Sequence, residues 1–180
     1  MVFAAAIVVG ALFGGYDQYL GSIASLPWAS SVSLLSAPWL VLPFCFGWSQ
    51  RDPGRAIALG VVATYAALVG YGVMTLSPIE GVHLSHASGA IAALAHSELK
   101  VVIGGLLTGP LYGYLGHRWR TRRAWTSAVM VAGALCLEPL AKDVTGQLPS
   151  NSSVWMGEIT VGVALAAYFG LVAIRRRSQL

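Results

Sequence analysis

Charge is what this chain has least of. Asp, Glu, Lys and Arg together make up 10% of its 180 residues, against ~25% in ordinary globular domains. Apolar residues reach 56%, a surface water would not tolerate, so a soluble globular domain is excluded. Acids are scarcest, seven against eleven basic residues, for a net charge of +4. Cysteine is nearly absent: Cys45 and Cys136 both lie in apolar stretches, where each reads as a small buried hydrophobe and implies no disulfide. A phosphate-cradling glycine loop, a serine-centred nucleophile elbow and a cysteine–histidine pair are all missing. His83, His86 and His96 have no metal-site spacing, so neither metal nor cofactor is expected. The N-terminus lacks a basic leader and an obvious small-residue cleavage site before Asp17, so the first apolar segment reads as a retained helix.

Long apolar runs stand in place of these features. A membrane-crossing helix needs ~20 mostly apolar residues. Six candidates run over about 2–22, 34–49, 56–76, 99–116, 124–141 and 154–174. The expected fold is therefore all-α, a single-domain polytopic membrane bundle of six spans. Pro38, Pro43, Pro110 and Pro139 fall inside spans, where kinks or local unwinding are expected. The arginines cluster at 51 and 55, at 118, 120, 122 and 123, and at 175–177; only Lys100 and Lys142 fall elsewhere. Threading six spans with both termini cytoplasmic puts every arginine cluster inside, so the basic balance reads as topology in a cell membrane and not as a nucleic-acid footprint. Trp48, Trp119 and Trp125 then mark the inner interface, and Trp28, Trp39 and Trp155 the outer one. The outer connections are residues 23–33, 77–98 and 142–153; within the second, the Ala-rich stretch 87–97 reads as a short interfacial helix or as an extension of the fourth span. Gly10 with Gly14, and Gly105 with Gly109 and Gly113, recur at spacing four and read as close helix contacts.

An ionised side chain at mid-span costs ~2.5–3.5 kcal/mol on insertion scales, so a carboxylate kept inside a span is a functional candidate. Asp17, Glu98, Glu138 and Glu158 all fall in the outer third of the threaded bundle, while Asp52 alone lies inside. They outline an outward-facing chamber between spans 1, 4, 5 and 6 and are the catalytic candidates. Each also has a plainer reading: Glu98 solvated beside Lys100, Glu158 on its own helix dipole, Asp17 and Glu138 as structural contacts. Away from water and beside a second carboxyl, a carboxylic acid keeps its proton more readily, so one member of such a group can act as a donor. Tyr16 and Tyr19 flank Asp17, and Tyr71, Trp28, Trp39 and Trp155 lie at the same level. They read either as interface aromatics or as a substrate-binding wall whose ring faces stabilise a carbocation.

Three stretches carry a resemblance: Ala37-Pro38-Trp39-Leu40, Gly104-Gly105 through Gly109-Pro110-Leu111-Tyr112-Gly113, and Gly133-Ala134-Leu135-Cys136-Leu137-Glu138. With them the chain resembles small actinobacterial integral membrane proteins. In size, six-span layout and intramembrane acids it is similar to the integral membrane terpene cyclases of drimentine-type and xiamycin-type indole terpenoid biosynthesis. The resemblance implies a cofactor-free cyclisation of a farnesyl or epoxyfarnesyl chain on an indole or related aromatic substrate. Asp17 or Glu138 would be the initiating acid and a second carboxylate the final base; the resemblance assigns no role to Glu98 or Glu158. Two other classes stay open on the residues themselves. Acids with Pro and Gly interruptions also mark proton-coupled carriers, though the inner half offers almost no ionisable residue to continue such a path. A non-catalytic lipid-binding membrane protein would keep the same acids as structural contacts.

Overall fold

In the computed structural model, residues 1–23, 25–80, 99–122, 125–144, 146 and 151–177 are described. Among them the chain forms seven α-helices: α1 (Val2–Ser22), α2 (Pro27–Ser33), α3 (Ala37–Trp48), α4 (Pro53–Thr75), α5 (Leu99–Arg122), α6 (Trp125–Val144) and α7 (Ser152–Arg177), with a short 3₁₀ turn at Pro78–Glu80. Glu98, His83, His86, His96 and the Ala-rich stretch 87–97 lie outside the described residues.

Local chemistry sets several boundaries. Asp52 caps α4 by accepting from the Arg55 amide at 2.7 Å, with Pro53 preset at the first helical position. Residues 23–33, expected to be a loop, contain α2. It starts at Pro27, whose carbonyl accepts from the hydroxyls of Ser30 and Ser31. Between α2 and α3 the axis bends by 55°. Pro38 contributes: it cannot donate to the Leu34 carbonyl four residues back and crowds it, and here that carbonyl is taken by Lys142 of another helix. At the other prolines, where kinks or local unwinding are expected, α3, α5 and α6 stay helical through Pro43, Pro110 and Pro139.

The packing is inverted relative to a water-soluble protein. Alanines fill the interior, with Ala6, Ala37, Ala56, Ala63 and Ala67 fully covered, while Leu12, Val69, Val73, Leu107, Leu137 and Leu140 point outward. Lipid rewards no apolar burial between helices, so close backbone approach holds them together. Gly10 and Gly14 of α1 lie on Ala63 and Ala67 of α4, so these two helices run parallel; a Cβ at Gly14 would collide with the Ala67 backbone. Gly113 of α5 is wedged between Ala56 and Gly60 of α4 and faces Gly47 of α3. α6 and α7 form an antiparallel pair, with Gly162 on Cys136 and Trp125 near Gly170. Cys136 thus packs inward, whereas Cys45 faces out.

With α2 and α3 taken as one broken rod, successive helices alternate in direction. One end of the bundle collects Arg51, Arg55, Arg118, Arg120, Arg122 and Arg175. There Trp119, read from sequence as an interface residue, is 1% exposed. It meets Phe169 edge-on at 4.5 Å in a cluster with Phe44, Tyr112, Leu115 and Val131 that joins α6 and α7 to α3 and α5.

By length and apolarity, α1, α4 and residues 152–172 of α7 are each long and apolar enough to cross a membrane, and α2 with α3 makes a fourth if the bent pair is one span. Among the described residues this is fewer than the six expected, because α5 carries Lys100, Pro110 and a basic end while α6 carries Glu138, Pro139 and Lys142. The protein is a membrane-associated helical bundle.

Candidate functional site

At the end opposite the arginines the helices part around a cavity of about 340 Å³, at the low end of the ~300–1,000 Å³ range of ligand sites. Its walls come from α1, α4, α5 and the α2–α3 break, through Asp17, Leu34, Ser36, Trp39, Leu68, Tyr71, Gly105 and Thr108 among others. The chamber expected between spans 1, 4, 5 and 6 is therefore displaced. The small-residue faces of α1 and α4 bring those two together, and the broken helix completes the wall.

Asp17 is the one carboxyl among the described lining residues, and it is 9% exposed. Its Oδ2 accepts from Trp39 Nε1 at 3.2 Å. Trp39 is fixed in turn by edge contacts to Phe13 at 5.4 Å and Tyr71 at 6.1 Å. The hydroxyls of Thr64 and Thr108 turn back to the carbonyls of Gly60 and Gly104, both at 2.9 Å. Their polarity is spent inside their own helices, which leaves the lining around Asp17 largely apolar and aromatic.

Glu138 lies behind the break. Its carboxylate accepts from the backbone amides of Ser36 and Ala37 and pairs with Lys142 one turn along α6. Lys142 also donates to the Leu34 carbonyl. These bonds satisfy backbone groups that the two helix ends leave open. Pro38 has no amide proton, the Trp39 amide returns to the Ser36 carbonyl, and Glu138 takes the two donors left over at the start of α3. Lys142 takes the carbonyl that Pro38 frees at the end of α2. Glu158 of α7 adjoins Glu138; it is 5% exposed, and among the described residues neither of its carboxyl oxygens meets a donor.

Of the sequence candidates, Asp17, Trp39 and Tyr71 meet at the cavity, and Glu138 and Glu158 meet one layer behind it. Tyr16, Tyr19 and Trp28 do not join them: they point outward with 61%, 42% and 49% exposure. Trp155 is half-buried on α7 and absent from the lining. Lys142, assigned from sequence to an outer loop, sits at the centre of the second layer because α6 runs on to Val144. Its spacing of four from Glu138 was the available signal. Ser36 and Leu34, which join the two layers through their backbone, gave none. No family model, no curated protein and no solved structure matches the chain.

Proposed function

We propose that the chain crosses the membrane six times with both ends cytoplasmic, and that its outer cavity is the active site of an integral membrane terpene cyclase. The alternating helix directions and the collection of arginines at one end support the topology, since basic residues are retained on the cytoplasmic side. The observation that carries the function is Asp17: the one carboxyl among the described lining residues of an apolar, aromatic cavity, oriented by an indole N–H.

In this reading a prenylated aromatic substrate enters from the bilayer and places its terminal olefin or epoxide at Asp17. Trp39 occupies Oδ2, which leaves Oδ1 to carry the proton. Transfer of that proton generates a carbocation, successive double bonds close rings onto it, and the final cation returns a proton to the Asp17 carboxylate. Substrate and product are isomers and no cofactor is consumed. The apolar lining keeps out water that would quench the cation, and the faces of Trp39 and Tyr71 stabilise it. Glu138 is less suited to start the reaction, because Lys142 and two backbone amides already occupy its carboxylate.

The test is to incubate membranes containing the full chain with a farnesylated indole, and separately with its terminal epoxide, and to analyse extracts by mass spectrometry. A new compound of unchanged mass, lost in Asp17→Asn, is expected. No conversion of either substrate would overturn the proposal. The buried Glu138–Glu158 pair favours one second reading, a proton-coupled carrier; proton flux in sealed vesicles, abolished by Glu158→Gln, would put it ahead.

A further inference from the structure

Neither Glu138 nor Lys142 lines the cavity, yet their side chains are only 9% and 13% exposed and their bonds reach across to another element's backbone. A simple ion pair along α6 would need no such reach. The signs also match the helix ends they meet. The carboxylate sits at the start of α3, where the peptide dipoles leave positive charge, and the ammonium sits at the end of α2, where they leave negative charge. Ser36 does not cap α3 with its own side chain, so the closure of the break comes from α6.

We propose that Glu138 and Lys142 act as one clasp that holds the α2–α3 break and thereby positions the indole of Trp39 on Asp17. Trp39 lies in the first turn of α3, immediately after the amides that Glu138 holds. A change of entry angle there moves its ring directly. The pair are positioning residues, and only the catalytic consequence of the clasp rests on the cyclase reading.

The experiment uses the full chain labelled with 5-fluorotryptophan in lipid nanodiscs without substrate, read by fluorine NMR. Trp39→Phe assigns the Trp39 line and Trp119→Phe assigns the Trp119 line, which reports the fold at the far end. Glu138→Ala and Lys142→Ala are each expected to shift the Trp39 line by more than its width while the Trp119 line stays in place. Lys142→Arg should restore it. The double exchange Glu138→Lys with Lys142→Glu keeps an ion pair but puts each charge at the wrong helix end, and it should not restore the line. An unmoved Trp39 line in the alanine variants, or full recovery in the double exchange, would overturn the clasp. If Glu138→Ala loses the Trp119 line through misfolding, Glu138→Gln carries the test: it keeps an acceptor but not the charge. A smaller shift of the same line is then expected, and no shift overturns the clasp. Because no substrate is present, a negative result here leaves the cyclase reading standing, and a negative cyclisation assay leaves the clasp standing.

Discussion

Helix α3 is closed differently at its two ends. At the arginine end its last carbonyls, those of Trp48 and Ser49, accept from Arg120 Nη1 at 3.1 and 3.2 Å, and that side chain is exposed. At the cavity end its first amides are taken by a mostly buried carboxylate from a helix about a hundred residues away in sequence. A long arginine reaches interfacial water and meets little desolvation penalty, whereas a buried carboxylate is retained against a penalty of several kcal/mol unless well paired. The two ends also differ in packing. Around Gly47, Gly60 and Gly113 three backbones meet, whereas beside Asp17 α1 stays on α4 through Gly14 and Ala67 while a cavity opens between them, α5 and the α2–α3 break. One end is built for closure and the other for holding polar groups in an apolar space.

The comparison can be broken from either side. The largest effect is expected for Asp17→Asn, which should lower cyclisation about 10²–10⁴-fold, the usual contribution of a general acid, while size-exclusion elution and unfolding temperature stay unchanged. Activity within a factor of a few of the parent would move the acid elsewhere. Next is Trp119→Ala at the closed end, expected to cost about 3–5 kcal/mol in stability, read by thermal unfolding in detergent. Its counterpart Trp39→Phe removes a single hydrogen bond of about 1 kcal/mol but should lower turnover far more than stability; equal losses in both would erase the contrast. Gly113→Val forces a side chain between three helices and should cost about 1–3 kcal/mol, whereas Gly104, whose Cβ position is open, should accept alanine with no loss of stability and a gain of up to about 1 kcal/mol in helix propensity. The smallest effect is expected for Arg120→Ala, below about 1 kcal/mol for an exposed contact; a larger loss would mean the two ends of α3 are held alike.

Periodic and compositional signals located α1, α4 and α7 because each is a long apolar run bounded by polar residues. They did not locate the α2–α3 break. The serines of α2 lower its apolarity to that of a loop, and the helix forms anyway because their hydroxyls return to a backbone carbonyl. The aromatic candidates were sorted by depth alone, which sequence does give. Which way each ring faces depends on the helix partner: Asp17 turns inward, so its neighbour Tyr16 (about 100° away around the helix) faces out with Tyr19 on the outer surface. Trp39 and Trp119 carry no local mark that separates them from the exposed Trp28, Trp48 and Trp125, since indoles suit membrane interfaces equally well. Lys142 was hidden by a span boundary placed a few residues early.

The long sequence separation of the α3 cap has a consequence for how the molecule is made. Chains emerge N-terminus first, so α1 to α4 can associate through their alanine and glycine faces while the amides of Ser36 and Ala37 still lack their acceptor. That acceptor arrives only with α6, together with the ammonium that takes the Leu34 carbonyl. α6 thus fixes from behind the broken-helix wall of a chamber that α1 to α5 line. Halting synthesis before Trp125 should leave a membrane-inserted fragment with Asp17 and Trp39 both present and their relative placement unset.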